Sequence, residues 1–287
     1  MKPSKEYRRA PTGCIAAMAT SENDYVHGYS HAESGRLRDQ ANVLTELLHH
    51  DTLYPAGSRV LEAGCGIGAQ TVILTRQSPD ARFTSVDISA ESLAKARESV
   101  EAVGASNVTF QQADIFRLPF ADELFDHVFV CFVLEHLAQP SRALRELRRV
   151  LRTGGSLTVI EGDHGSAYFH PSSDRAQKTI DCLVEIQSRL GGNALIGRAL
   201  FPLLREAGLR DVRVDPRVVY ADGSRPVWVE GFTRSTFTAM VKGAKPQALE
   251  LGLLDEASWD AGIRDLERTA EDDGTFSYTF FKGVGAK

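Results

Sequence analysis

The chain has 287 residues, with 33 Lys+Arg against 38 Asp+Glu, a formal net charge of −5, 43% hydrophobic and 25% charged residues. This length buries a full core as one elaborated domain or two small ones, and the ordinary composition excludes wholesale disorder, a collagen repeat and a disulfide scaffold. Mild acidity argues against a nucleic-acid partner, which needs a basic face to neutralise phosphates, and no apolar run approaches the ~20 residues that cross a bilayer.

In chain order, residues 1–23 read as a flexible arm, with Pro3, Pro11 and Gly13, no sustained period, and Met18 as a second candidate start. Basic residues Lys2, Lys5, Arg8 and Arg9 precede only a short apolar patch over 14–19, too short for a secretory signal. Cys14, Cys65, Cys131 and Cys182 lie far apart without metal or framework spacing, which fits a reducing, cytoplasmic setting. A cap helix is expected within 24–57: Leu37, Ala41, Leu44, Leu47 and Leu48 recur at helical spacing over 34–50, and Pro55 and Gly57 break it.

From 58 to 162 strand and helix alternate. Strands are expected at 59–63, 82–86, 108–112, 127–132 and 157–160, with helices through 76, over 90–103 and over 142–151. Beyond that, 172–190, 194–207, 226–241 and 256–270 read as helical, and 212–214 and 276–281 as strands. The rhythm implies one α/β domain: a Rossmann-like, doubly wound, mostly parallel seven-stranded sheet. Helical insertions at 163–192 and 222–273 are expected to cover the active site.

The strongest signal is Val60-Leu61-Glu62-Ala63-Gly64-Cys65-Gly66-Ile67-Gly68, a strand entering glycines at every second position and then a helix. Glycines permit a tight turn and let a ligand approach the backbone. Asp87 follows nineteen residues after Gly68, at a strand end, where a carboxylate can accept both hydroxyls of a ribose. A dinucleotide dehydrogenase places two residues before its third glycine; here Ile67 alone separates Gly66 from Gly68. The acid Glu62 before the first glycine would repel a pyrophosphate and suits a cationic, amino-acid-bearing ligand.

This stretch resembles the binding loop of class I S-adenosylmethionine-dependent methyltransferases, an acid followed by x-Gly-x-Gly-x-Gly. Further motifs follow in that family's order. They are Asp87-Ile88-Ser89, Ala113-Asp114-Ile115, Leu118-Pro119-Phe120, Phe125-Asp126, Val133-Leu134-Glu135-His136-Leu137 and Gly154-Gly155. The later ones are similar to the ubiquinone/menaquinone type of small-molecule methyltransferase. The likeness is close from Tyr25 to Glu161 and loose beyond.

The resemblance implies S-adenosylmethionine as cofactor, with S-adenosylhomocysteine as product. It implies that N–H groups of Gly64, Gly66 and Gly68 and the start of the next helix, with Gln70, face the cofactor carboxylate, and that Glu62 meets its ammonium, directly or through water. It further implies Asp87 and Ile88 at the ribose, Asp114 and Ile115 at the adenine, and Cys131 and Phe132 beside the methionyl part. Tyr25 and Tyr29 precede the first helix, where the family folds a segment over the cofactor. An aromatic face near a sulfonium gains ~1–2 kcal/mol when dry, and packing of the first helix is the equal alternative.

Methyl transfer is an in-line displacement that needs a general base only if the nucleophile loses a proton. His136, just past the fourth strand, is the foremost candidate, against a structural turn; His164 and His170 flank the fifth strand at the same mouth. The pairs His27/His31 and His49/His50 lack the further ligands of a zinc site, so no metal is expected. Tyr168, Phe169, Trp228, Phe232, Phe237, Phe280 and Phe281 suit an apolar, aromatic-lined cavity for a small acceptor, or simple core packing. Arg36, Arg198 and Arg225 are candidates to hold an acidic acceptor. The rival readings are a non-catalytic cofactor-binding module and a nicotinamide-dependent oxidoreductase; nothing in the pattern bears on oligomeric state.

Overall fold

The computed structural model describes residues 31–287; the arm over 1–23, Tyr25, His27 and Tyr29 lie outside the described residues. Helix α1 (His31–His49) buries Ala41, Leu44 and Leu48, three and four residues apart, on one face. Five parallel strands follow: β1 (Arg59–Ala63), β2 (Arg82–Asp87), β3 (Val108–Gln112), β4 (Phe125–Cys131) and β5 (Leu151–His170). Between them lie α2 (Ala69–Gln77), α3 (Ala90–Glu101) and α4 (Pro140–Val150). The second half holds α5 (Asp174–Arg189), α6 (Leu200–Glu206), β6 (Arg210–Asp222) and β7 (Thr275–Ala286), with a helical segment between the last two strands.

The sheet runs β3-β2-β1-β4-β5-β7-β6, with β7 antiparallel to both neighbours. This is the doubly wound, mostly parallel arrangement expected. Strand order reverses between β1 and β4, the switch point outside which open α/β sheets bind ligands. Alternation along β4 serves two cores. Phe129 and Cys131 join α1, α2 and α5 on one face, and Val128 and Val130 join α4 and α6 on the other.

The last three strands are longer than expected, β7 among them at Thr275–Ala286 against 276–281. β5 runs on from Ile160 to His170, and β6 spans Arg210–Asp222, because β7 pairs with both along nearly its whole length. A backbone ladder satisfies N–H and C=O groups whatever the side chains are, so the outer ladder carries Arg217, Asp222 and exposed Tyr168 and Tyr220 that break the apolar pattern.

The stretch expected as one helix over 226–241 is α7 (Pro226–Trp228), a π-helix over Val229–Thr238 and α8 (Ala239–Gly243). Phe232 and Phe237, five residues apart, are both buried, a spacing that suits the wider π turn. The expected helix over 194–207 is a 3₁₀ turn (Ile196–Ala199) leading into α6. α9 (Lys245–Glu250) and α10 (Glu256–Arg268) complete the layer, α10 capped by Asp255, whose carboxylate accepts from Ser258 N.

Candidate active site

The glycine loop sits between β1 and α2, and its three glycines differ in what surrounds them. Gly64, Gly66 and Gly68 have φ of 78°, 52° and 80°, all in the left-handed region. A Cβ on Gly64 would run into the Val133 side chain beyond β4, and one on Gly68 would lie 2.9 Å from Ala96 Cα in α3. At Gly66 nothing stands within 4 Å. The outer two glycines thus let the loop pack on the chain, while the middle one leaves an open backbone face.

The loop is held from below. Gly64 N and Cys65 N donate to Val86 O at 2.8 and 3.0 Å, and Cys65 packs with Leu93 and Ala96. Asp87 Oδ2 accepts from Gly66 N at 2.8 Å and its Oδ1 from Ser89 N at 2.9 Å, which fixes the carboxylate at the loop. Burial pushes this carboxyl above its ordinary range, and these hydrogen bonds oppose the rise. Gln70 stands in the first turn of α2 and faces the buried His49 ring.

Glu62 lies behind the loop, 2% exposed. Its Oε2 accepts from Thr71 Oγ1 at 2.7 Å and Ser85 Oγ at 2.6 Å, while Oε1 has no hydrogen-bond partner among the described residues. Burial raises its pKa to about 7. Beside Asp87, Gln112 Nε2 donates to Ile88 O at 2.7 Å and Ala113 N to Asp87 O at 3.0 Å, so the ends of β2 and β3 are joined. Asp114 is exposed and accepts from Phe116 N at 2.8 Å, and the Ile88 side chain is 54% exposed. Asp87, Ile88, Asp114 and Ile115 are therefore brought together at one edge of the sheet.

The end of β4 and the middle of β5 carry a second, ionisable cluster. Cys131 is buried, its thiol pushed well up by burial. Phe132 has φ 57°, a left-handed conformation that is strained for an aromatic residue, and its ring lies 5.5 Å from that of Phe280. Glu161 is fully buried; its Oε1 accepts from Val133 N and Leu134 N at 3.0 and 2.7 Å. His136 closes the 3₁₀ turn Leu134–His136, with Nε2 3.7 Å from Glu135 Oε1. Glu135 Oε2 lies 3.8 Å from Nε2 of His164, whose Nδ1 is hydrogen-bonded to the Tyr278 hydroxyl at 2.7 Å. Asp163, also buried, takes a two-pronged contact from Arg198 at 2.6 and 2.7 Å.

Sequence reasoning missed Glu161, Asp163 and Tyr278. A usable signal was present: two acids interrupting or ending the apolar run Leu157-Thr158-Val159-Ile160-Glu161-Gly162-Asp163. Acids at such positions need dedicated partners.

Three expectations are corrected by the structure. His170 does not share the mouth: β5 continues past it, and it pairs with Thr275, six β7 residues beyond Phe281, the partner of Glu161, roughly 20 Å along the strand. Phe232, Phe237, Phe276, Tyr278 and Phe280 are buried against one another with centroids 4.8–6.5 Å apart, so of the two readings they take core packing rather than a cavity wall. Arg198 is engaged by Asp163, and Arg225 is exposed, donating to Tyr220 O. The side chain of Arg36 lies outside the described residues.

Residues 61–159 match the family model described as a methyltransferase domain. That match and the methyltransferases among the chain's relatives support the class I S-adenosylmethionine-dependent type. The chain is 30% identical over 148 residues to Methyltransferase GfsG of Streptomyces halstedii, covering 51% of this chain and 53% of that one. It is 28% identical over 226 residues to the 27-O-demethylrifamycin SV methyltransferase of Amycolatopsis mediterranei, covering 78% and 77%. The chain spans about half the length of GfsG and of two further curated relatives it matches. Phosphoethanolamine N-methyltransferase 2 of Haemonchus contortus, solved with S-adenosyl-L-methionine, superposes with a TM-score of 0.56 at 16% identity, covering 94% of this chain and 60% of that one, and shares the fold.

The residues present fit the family's cofactor. The methyltransferase loop offers an open backbone face at Gly66, a buried acid with one unsatisfied oxygen at Glu62, and an exposed apolar side chain at Ile88. Among the described residues no cluster of three or more His, Cys, Asp or Glu is placed to hold a metal ion. Among them, too, no helix is long and apolar enough to cross a membrane.

Proposed function

We propose that the protein transfers a methyl group from S-adenosylmethionine to a small-molecule acceptor by in-line displacement. The observation that carries this reading is the glycine loop, packed at Gly64 and Gly68 and open at Gly66, with Asp87 fixed beneath it. The bound cofactor supplies an electrophilic methyl group on a sulfonium. Loop N–H groups and the start of α2, with Gln70, hold its carboxylate, and Glu62 Oε1 meets its ammonium. Each Asp87 oxygen already takes one backbone N–H and keeps a lone pair for a ribose hydroxyl. Ile88 borders the ribose beside Asp87, Asp114 and Ile115 hold the adenine, and Cys131 and Phe132 border the methionyl part.

His136 is the candidate base for a proton leaving the acceptor. The chain's contribution is otherwise geometric: it aligns nucleophile, methyl carbon and sulfur and keeps water out. The ionisable cluster at the end of β4 and the middle of β5 favours turnover over a non-catalytic cofactor-binding module, which has no use for it. Glycine spacing and the acid at Glu62 speak against a nicotinamide cofactor. Buried, free Cys65, Cys131 and Cys182 support the cytoplasmic assignment.

Calorimetric titration with S-adenosylhomocysteine tests the reading. Wild-type protein takes it up, and Asp87→Ala weakens it about ten- to hundred-fold, the weight of a charge-assisted hydrogen bond. Unchanged affinity removes the ribose role, and no uptake by the wild type removes the cofactor. Release of S-adenosylhomocysteine from S-adenosylmethionine only when a metabolite extract is added separates enzyme from binding module.

A further inference from the structure

We propose that Glu135 is a positioning residue for proton removal from the acceptor, and that the acceptor is a hydroxyl compound methylated on oxygen. This rests on the methyltransferase reading above. Glu135 is 8% exposed, and among the described residues its ion-pair partners are two imidazoles, those of His136 and His164, and no Lys or Arg. A buried carboxylate without a fixed cation is costly unless its neighbours can take up positive charge.

The surroundings hold Glu135 in place. Its carbonyl accepts from Asn193 N at 2.7 Å and Gln187 Nε2 at 3.1 Å, and its Oε2 lies 3.3 Å from the same amide. Glu161 anchors the start of the turn through Val133 N and Leu134 N. Burial, followed by the charge of Glu135, pushes the Glu161 carboxyl well above its ordinary range. Tyr278 fixes the His164 ring at 2.7 Å. His164 is buried, whereas the His136 side chain is 21% exposed.

An alkyl or phenolic oxygen becomes a good nucleophile by losing its proton as it attacks, whereas a neutral amine or a thiolate needs no base at that moment. In the step proposed, the acceptor oxygen forms the O–C bond while the C–S bond breaks with its electron pair left on sulfur. The hydroxyl proton passes to a His136 ring nitrogen and then to water. Glu135 balances the imidazolium that forms, the role a carboxylate plays behind a catalytic histidine.

The test is histidine-selective NMR titration of the full chain with S-adenosylhomocysteine bound, in wild type, Glu135→Gln and Glu135→Asp. Loss of the carboxylate lowers the His136 midpoint by about one pH unit, and Glu135→Asp, which draws the charge back by one methylene, lowers it by less. Both variants keep wild-type affinity for S-adenosylhomocysteine. A His136 midpoint that is the same in all three proteins overturns the positioning role; Glu135→Asp alone decides it if Glu135→Gln does not fold. Failure of the wild type to take up S-adenosylhomocysteine counts instead against the methyltransferase reading. Transfer of labelled methyl from S-adenosylmethionine into a metabolite extract tests the acceptor class: an O-methyl product supports it, and methyl on nitrogen, sulfur or carbon overturns it.

Discussion

The glycine loop and the ionisable cluster share one edge of the sheet, yet they are assembled differently. The loop's side-chain bonds join near neighbours in sequence: Glu62 to Thr71 and Ser85, and Gly66 to Asp87, 9, 23 and 21 residues apart. The cluster joins distant ones: Asp163 to Arg198, Glu135 to Gln187, and His164 to Tyr278, 35, 52 and 114 residues apart. A site made of backbone and glycines needs few specific partners and tolerates varied surroundings. A site made of buried charges depends on the whole second half of the chain being in place. The glycine loop is therefore the portable part of such a fold, and the ionisable cluster is the part that particularises it.

Within the loop, the sharpest way to break this contrast is a pair of substitutions. Gly68→Ala imposes a left-handed φ on alanine and drives its Cβ to 2.9 Å from the Ala96 backbone, which cannot yield as a side-chain tip can. It is expected to cost about 3 kcal/mol in denaturant unfolding and to abolish uptake of S-adenosylhomocysteine. Gly66→Ala meets no neighbour, so it costs about 1 kcal/mol of stability from φ alone, while its methyl group intrudes on the ligand face and lowers affinity at least tenfold. Wild-type affinity in Gly66→Ala would mean that the open face points at solvent.

The same contrast explains what could be read from the sequence. β1 and β3 fall on the expected residues 59–63 and 108–112, because each is a short, continuous run bounded by turn residues. The loop and Asp87 were legible for the same reason: glycine at a forced φ and an acid at a strand end are local signals. The outer halves of β5 and β6 were not, since their ladder with β7 ignores side-chain polarity. The aromatic residues of the second half carried no sign of whether they faced each other or a ligand, and their mutual packing decided for the core. Nor could Arg198 reveal that its partner is Asp163, which comes to it only through the return of the chain after α5.

A smaller effect pits the loop against the cap helix through pH. Glu62 rises from its ordinary 4.5 to about 7 in the fold, so its unfolded form releases the proton first and stability falls by about 3 kcal/mol as pH rises from 4.5 to 7. His49 falls from 6.5 to about 4 because burial, then the Lys282 charge, disfavours its cation. Its contribution is present above pH 6.5 and is lost, by about 3 kcal/mol, as pH falls to 4. The two slopes oppose each other between pH 4.5 and 6.5 and leave the wild type nearly flat there. Glu62→Gln removes one of them: stability from urea unfolding should rise at pH 7.5 relative to wild type and then drop steadily on acidification to pH 4.5. Parallel curves for the two proteins would show that Glu62 is not the group opposing His49.

The smallest effect expected is the one that asks whether the two regions are separate at all. Tyr278→Phe deletes the hydroxyl that fixes His164 while keeping the ring packed against Phe237 and Phe280, at 5.4 and 4.8 Å between centroids. Because the cavity left is one oxygen and the ring contacts stay, the cost is about 1–2 kcal/mol, that of a buried group losing its partner. Uptake of S-adenosylhomocysteine should be unchanged, since the hydrogen bonds of the loop and Glu62 run to β2 and α2, while methyl transfer falls as His164 and Glu135 lose their fixed orientation. If affinity for S-adenosylhomocysteine instead drops tenfold or more, the acceptor cluster reaches the cofactor through Glu161, Val133 and the face of Gly64, and the division drawn between local loop and long-range cluster fails at that contact.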